Sequence, residues 1–338
     1  MFKSSLNSIN EIFAKIAENA TLYLPSDNKD GNAVYTKWEN GVVWSNSLNT
    51  VKSPKDFFFP QVEDMMAFKT EGKNIEINDI REESEDFVVF GVRACDVRSF
   101  DILDRVFLVE PCDSYYANRR EHGIIISVAC TKPSETCFCK TFDIDATNPG
   151  GDITVWKTED SLYWSANTDR GRELLSKLNL EECGDEAVNE QKAKTEAILN
   201  KLPLANLNTD GFGGDKTDAL FDRPEWKTLS ESCLGCGTCT FVCPTCQCYD
   251  IKDFNTGNQV IRYRCWDSCM YSDFTKMAHG NNRLSQVERF RQRFMHKLVY
   301  YPANNDGIFG CVGCGRCVSK CPISMNIVKV MKTLGGND

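Results

Sequence analysis

Two runs of cysteine share one spacing, and they are the residues best placed to do chemistry in this chain. Both runs read C-x2-C-x2-C-x3-C-P, the pattern by which thiolates hold a [4Fe–4S] cube. Three cysteines on a tight loop can each reach a different iron, and the fourth lies on the helix that follows. Two complete copies therefore predict two [4Fe–4S] clusters. The runs consist of Cys233, Cys236, Cys239 and Cys243, and of Cys311, Cys314, Cys317 and Cys321.

The pattern also predicts how the eight thiolates are shared. In bacterial ferredoxins with two clusters, the fourth cysteine of each run binds the other cluster. The two runs are 67 residues apart, more than a minimal ferredoxin needs, which favours a helical two-cluster domain. Zinc knuckles are the alternative, but zinc sites rarely use four evenly spaced thiolates followed by Cys-Pro. The predicted ligand sets are Cys233, Cys236, Cys239 and Cys321 for one cluster, and Cys311, Cys314, Cys317 and Cys243 for the other.

A second group of cysteines lies in the first half of the chain. Cys95 follows a predicted strand, Cys130 ends another, and Cys137 and Cys139 follow on a loop. Four thiols from two strand ends and one loop could hold a third cube. A set of buried, inert cysteines is the alternative, because cysteine is a common core residue. The spacing C-x6-C-x-C does not decide between the two.

A third group, Cys246, Cys248, Cys265 and Cys269, follows the first run. Cys265 and Cys269 are four residues apart, so on a helix they would share a face. Two interpretations stay open for this group. It could bind a further metal, or its thiols could pack around the first cluster and tune it through S–H contacts.

Composition limits the class of protein. A chain of 338 residues predicts roughly two domains. Its 18 cysteines would suit a secreted disulfide scaffold only in a short chain behind a signal peptide, and we identify no such peptide. We also find no apolar stretch of the length that spans a bilayer. We therefore expect no membrane attachment and a reducing, anaerobic cytoplasm.

The charge is divided unevenly between the two halves of the chain. Residues 225–338 carry 14 Lys and Arg against 9 Asp and Glu, whereas the first 224 residues have a net charge of −14. The basic half offsets the negative charge of the clusters, which is one factor that sets a reduction potential. The acidic half argues against nucleic-acid binding and favours docking to proteins.

The predicted fold class is α+β. We expect an α/β-type domain over 1–202 that holds the second cysteine group, a Gly/Asp/Pro-rich linker over 203–224, and a mainly helical dicluster ferredoxin domain over 225–338. The sequence shows no G-x-G-x-x-G, P-loop or Ser/His/Asp pattern, so we predict no flavin, nicotinamide or hydrolytic site.

Several segments together resemble a known family. They are similar to the iron–sulfur β subunit of cytoplasmic sulfhydrogenases and to the A subunit of anaerobic sulfite reductase. The matches cover about half of the chain, within 86–142 and 226–332. They include Phe90-Gly-Val-Arg-Ala-Cys95-Asp96, Asp113-Ser-Tyr-Tyr-Ala-Asn-Arg-Arg-Glu121, Cys130-x6-Cys137-Phe-Cys139, Cys243-Pro-Thr-Cys246-Gln-Cys248 and Trp266-Asp-Ser-Cys269.

The resemblance implies a non-catalytic electron-transfer subunit. In that family a flavoprotein partner oxidises NAD(P)H, and electrons pass through the clusters to a metal-containing catalytic subunit of the hydrogenase or sulfite reductase type. It also favours a third cluster on Cys95, Cys130, Cys137 and Cys139, while Cys265 falls where the family has no expected cysteine. The alternatives are a self-contained iron–sulfur reductase that acts near Cys246–Cys269, and a redox-sensing module, for which no nucleic-acid-binding element is visible.

Overall fold

In a computed structural model of the chain, residues 1–79, 81 and 84–336 are described. The strands are β1 Phe2–Ser5, β2 Thr21–Asp27, β3 Ala33–Lys37, β4 Val62–Glu71, β5 Asn74–Asp79, β6 Phe87–Val92, β7 Gly123–Val128, β8 Ile153–Lys157, β9 Ser161–Ala166, β10 Glu181–Glu182, β11 Tyr249–Asn255, β12 Gln259–Trp266, β13 Lys276–Met277 and β14 Gly280–Asn281. The helices are α1 Ile9–Ala17, α2 Lys55–Phe58, α3 Ala94–Phe107, α4 Ser114–His122, α5 Asp169–Ser176, α6 Glu186–Leu199, α7 Thr217–Phe221, α8 Glu225–Glu231, α9 Thr238–Phe241, α10 Gln286–Met295, α11 Tyr301–Asn304, α12 Arg316–Ser319 and α13 Ile327–Leu334.

The first half is built on an eight-stranded sheet with the order β10-β1-β9-β8-β7-β6-β2-β3. Its centre, β2, β6, β7 and β8, is parallel, and the strands at both ends are antiparallel. Residues of α1 and α5 pack on one face of the sheet, and residues of α2, α3 and α4 pack on the other. The six residues of β6 are all buried, as expected for a strand covered on both faces.

A second, four-stranded sheet joins distant parts of the chain. Its order is β11-β12-β4-β5, and the register pairs Val260 with Phe68 and Cys265 with Val62. Two hairpins, one from each end of the sequence, therefore form one antiparallel sheet. At its base Arg264, which is buried, forms ion pairs with Glu63 at 2.6 Å and with Asp113 at 2.5 Å.

The architecture is mixed α/β, and the expectation of a mainly helical second half is not confirmed. Residues 249–266 form the long hairpin β11–β12 rather than a helix. A helical core does surround the cysteine runs, and it is built from α8, α10 and α13. The segment 203–224 contributes Phe212 and Leu220 to this core. The division into two domains stays a prediction, and residues 337–338 of the second one lie outside the described residues.

In the part of the chain that the structure describes, no helix is both long and apolar enough to cross a membrane.

Candidate metal centres

The two cysteine runs fold as one repeated structure. Each loop contains two glycines with positive φ, Gly235 and Gly237 in the first and Gly313 and Gly315 in the second. Glycine adopts this left-handed backbone without the penalty that a Cβ atom brings. A short helix, α9 or α12, follows each loop, and the two helices pack against each other. The repeated cysteine pattern thus corresponds to a repeated loop-and-helix structure.

Cys243, the last cysteine of the first run, lies with the second run. Burial, with smaller contributions from the Cys243 and Cys314 thiolates, raises the pKa of Cys311 to about 12 against the opposing charge of Lys297. Burial and the Cys243 thiolate also raise the pKa of Cys314 and Cys317. Sγ of Cys243 is 3.3 Å from Oγ1 of Thr245. Four thiols of the predicted second cluster therefore lie within electrostatic reach of one another.

The cysteines of the other predicted set lie around the helical core. Cys233 and Cys321 pack against that core, and Gln286 Nε2 donates to Cys233 Sγ at 3.4 Å. Cys236 is exposed, and its Sγ is 3.4 Å from the Thr238 hydroxyl. This centre is the more open of the two.

The front-half cysteines converge because two strands of the sheet are parallel neighbours. Cys95 follows β6 and Cys130 follows β7, and the carboxyl ends of neighbouring parallel strands meet at one edge of a sheet. Cys137 and Cys139 come from the next loop, and all four thiols line one cavity. Burial raises the pKa of Cys137 to about 11 and that of Cys139 to about 12.

This front cavity shares a wall with the second cysteine loop. The Phe138 amide, between two of the front cysteines, donates to the Gly313 carbonyl at 2.8 Å. A Cβ atom on Gly313 would lie 2.4 Å from the Phe138 carbonyl carbon, so only glycine fits here. Cys314 lines the same cavity. The front site and the second centre are thus adjacent.

The third cysteine group is divided by the fold. Cys265 lies on β12, paired with Asp250 and Val62, so Cys265 and Cys269 do not share the face of a helix. The thiol of Cys246 lies beside that of Cys243, and the thiol of Cys248 lies beside that of Cys269. Within residues 1–79, 81 and 84–336, no three His, Cys, Asp or Glu side chains form a group suited to a single metal ion.

Comparison with known proteins agrees with this arrangement. Residues 232–325 match the model of a 4Fe-4S dicluster domain, a span that contains both cysteine loops. The chain is 34% identical over 331 residues to the sulfhydrogenase 2 subunit beta of Pyrococcus furiosus, and the match covers 95% of this chain and 94% of that protein. The chain belongs to the family of sulfhydrogenase beta subunits. No solved structure matches it.

A dicluster domain of this family requires anionic centres, and the buried cations of the structure fit that requirement. Lys55, Arg293 and Lys297 are at most 5% exposed, yet none forms an ion pair with Asp or Glu in the described part of the chain. Arg293 also has a buried Nη1 atom without a hydrogen-bond partner among the described residues. Buried charges are costly unless they are compensated. Thiolate-bound clusters would supply the missing negative charge.

The burial of these cations was not predicted from the sequence of this sulfhydrogenase-family chain. The arginines of α10 read as an exposed basic face or as charges that offset the clusters. The sequence nevertheless contains a pattern that indicates the burial of two of these cations. Arg293 and Lys297 share helical spacing with Phe290, Phe294 and Leu298, which are buried, so the same periodicity places the two cations on the inner face.

Proposed function

We propose that this chain is the electron-transfer subunit of a multi-subunit hydrogenase. It relays electrons between a flavoprotein subunit that oxidises NAD(P)H and a metal-containing catalytic subunit, of the hydrogenase type rather than the sulfite reductase type. The observation that carries the proposal is the pair of cysteine loops whose helices α9 and α12 pack together, with nearby buried cations that have no carboxylate partner among the described residues. The relative from Pyrococcus furiosus is itself named as a sulfhydrogenase subunit.

The two ferredoxin-type clusters would use exchanged ligands. The position of Cys243 among the cysteines of the second run supports this pairing. A [4Fe–4S] cube takes up and releases single electrons, and the protein sets its potential through charge and hydrogen bonds. The proposed sets are Cys233, Cys236, Cys239 and Cys321, and Cys311, Cys314, Cys317 and Cys243.

A third cluster would be held by Cys95, Cys130, Cys137 and Cys139. Their shared cavity supports this set, and the wall that it shares with the second loop makes the third centre a neighbour of the second. The three centres would then form one continuous electron path, from the exposed first loop to the edge of the front sheet.

The third cysteine group is better explained as a modifier of the second cluster than as a metal site with Cys265. Cys265 pairs across the sheet with Asp250 and Val62, whereas Cys246 lies beside Cys243 and Cys248 lies beside Cys269. The Cys246 thiol would therefore tune a proposed cluster ligand.

Anaerobic purification from the native host tests the proposed function. We expect a flavoprotein and a metal-containing catalytic subunit to copurify with the chain, and NAD(P)H to bleach the visible absorbance of its clusters in the complex. The isolated chain should keep its clusters but should not be reduced by NAD(P)H. Turnover of hydrogen or sulfite by the isolated chain, with an artificial electron donor or acceptor, would instead support the alternative of a self-contained reductase near Cys246–Cys269.

A further inference from the structure

Helix α10 and the π-helical turn that follows it, His296–Tyr300, carry two cations into the protein interior. Arg293 is 2% exposed and Lys297 is 5% exposed. The two residues are four positions apart, so they lie on one face of the helix. Neither has a carboxylate partner in the part of the chain that the structure describes. Their compensation must come from the cysteine centres.

Arg293 contacts the first cysteine run directly. Its Nε atom donates to Cys239 Sγ at 3.0 Å, and its Nη2 atom donates to the Cys239 carbonyl at 2.7 Å. Its remaining nitrogen, Nη1, is buried and has no hydrogen-bond partner among the described residues. A hydrogen bond to a ligand sulfur is a recognised influence on cluster potential.

The same guanidinium also faces the second centre. Its partner Cys239 lies on α9, which packs against α12, the helix that carries Cys317. The thiolate charges of Cys239, Cys246, Cys317 and Cys243 all act on the guanidinium. By the exchanged ligand sets, Cys239 belongs to one cluster and Cys243 and Cys317 belong to the other. Arg293 therefore lies between the two clusters and acts on both.

Lys297 is directed to the second centre through a relay. Its Nζ atom donates to Thr245 Oγ1 at 2.6 Å and to the Gly310 carbonyl at 3.0 Å. Thr245 Oγ1 lies 3.3 Å from Cys243 Sγ. The thiolates of Cys243 and Cys311, both assigned to the second cluster, are among the charges that act on Lys297.

We propose that the buried charge of Arg293 raises the reduction potentials of both ferredoxin-type clusters. The charge of Lys297 raises the reduction potential of the second cluster alone. The inference rests on the proposed function, since it takes the two clusters and their ligand sets as given. Reduction adds one negative charge to a cube, and a buried cation stabilises that charge more strongly than an exposed one. The charge of a single side chain thus shifts the reduction potentials of two neighbouring clusters in the same direction.

Redox titration of the full chain, followed by electron paramagnetic resonance, tests the inference. Arg293→Gln should shift the midpoint potentials of two clusters downward, and Lys297→Met should shift only one of them. Arg291→Gln is the matched control, because it removes the same charge from the same helix at a partly exposed position that contacts Phe221. Its titration curves should match those of the unchanged protein.

Two further results distinguish a failure of the inference from a failure of the proposed function on which it rests. Wild-type protein that holds about four irons or fewer per chain after faithful reconstitution would contradict the proposed function and the inference together. Full iron content with unchanged potentials in Arg293→Gln, or a shift of one cluster only, would contradict the inference alone. If Arg293→Gln fails to fold, Arg293→Lys decides: it keeps the charge, so both potentials should stay near the wild-type values. A fall of both potentials in Arg293→Lys would overturn the role assigned to the charge.

Discussion

At the scale of single residues, the thiols of the front site are unreactive in the absence of a metal. Burial keeps the pKa of Cys137 at about 11 and that of Cys139 at about 12, so both are neutral thiols near pH 7 without a metal. A reactive cysteine shows the opposite, a lowered pKa in an exposed position. Only a bound metal centre would turn these groups into thiolates.

Replacing Cys137 by Ser should remove the front cluster. We expect a loss of about four irons per chain, because the change removes one of four ligands to a [4Fe–4S] cube. Cys112→Ser is the matched control, since Cys112 is exposed and lies outside every cysteine group. Iron analysis after anaerobic purification measures the effect, and equal iron content in the two variants would reject the front cluster.

Cys265→Ser should leave the iron content unchanged. The residue lies on β12, paired with Asp250 and Val62, whereas Cys246 lies beside Cys243 and Cys248 lies beside Cys269. Cys243→Ser provides the contrast, because that variant removes a ligand of the second cluster and should lose about four irons. A matching loss of iron in Cys265→Ser would show that Cys265 is a ligand and that this assignment is wrong.

The loops and strands that carry the sites were only partly predictable from sequence. The cysteine spacing was sufficient for the repeated loops, because ligands and turn glycines are both local in sequence. Local spacing could not identify the hairpin β11–β12, because its partner strand β4 lies about 190 residues earlier, so a helix and a strand both stayed open for Cys265. The convergence of the front cysteines required the parallel pairing of β6 and β7, which the sequence only suggested.

Gly313→Ala should damage the junction between the second and third centres. The new Cβ atom would lie 2.4 Å from the Phe138 carbonyl carbon, at a backbone φ of +58°. Gly257→Ala is the control, because Gly257 also has positive φ but has nothing within 4 Å of a Cβ atom. The control should cost about 1 kcal/mol, whereas Gly313→Ala should also lose iron from both adjacent centres. Iron content equal to that of the control would contradict the claim that the front cavity and the second cysteine loop share this contact.

At the scale of the whole molecule, a buried ion pair joins helix α3, which packs on the front sheet, to the second cysteine loop. Arg316 follows Cys314 on the second loop and binds Asp96, next to Cys95, through two hydrogen bonds of 2.6 and 2.7 Å. Both side chains are at most 4% exposed. The Arg316 Nε atom also donates to the Thr50 carbonyl at 3.1 Å. The sequence could not reveal this pair, because its members are 220 positions apart.

Asp96→Asn should destabilise the chain by about 3–5 kcal/mol, since it leaves Arg316 buried without a counter-charge. Asp101→Asn is the control. Asp101 pairs with Arg98 at 3.3 Å in an exposed position, and such pairs contribute about 0–1 kcal/mol. Anaerobic thermal unfolding compares the variants, and the melting temperature should fall much further for Asp96→Asn. Equal melting temperatures would show that this pair does not hold the two regions together.

The central claim is that this chain is a carrier of several [4Fe–4S] clusters, and iron and acid-labile sulfide counted per chain test it most directly. Anaerobically purified protein, with clusters confirmed by Mössbauer spectroscopy, should contain at least about eight irons and as many sulfides, and about twelve if the front site is filled. About four irons or fewer after faithful reconstitution would contradict the claim.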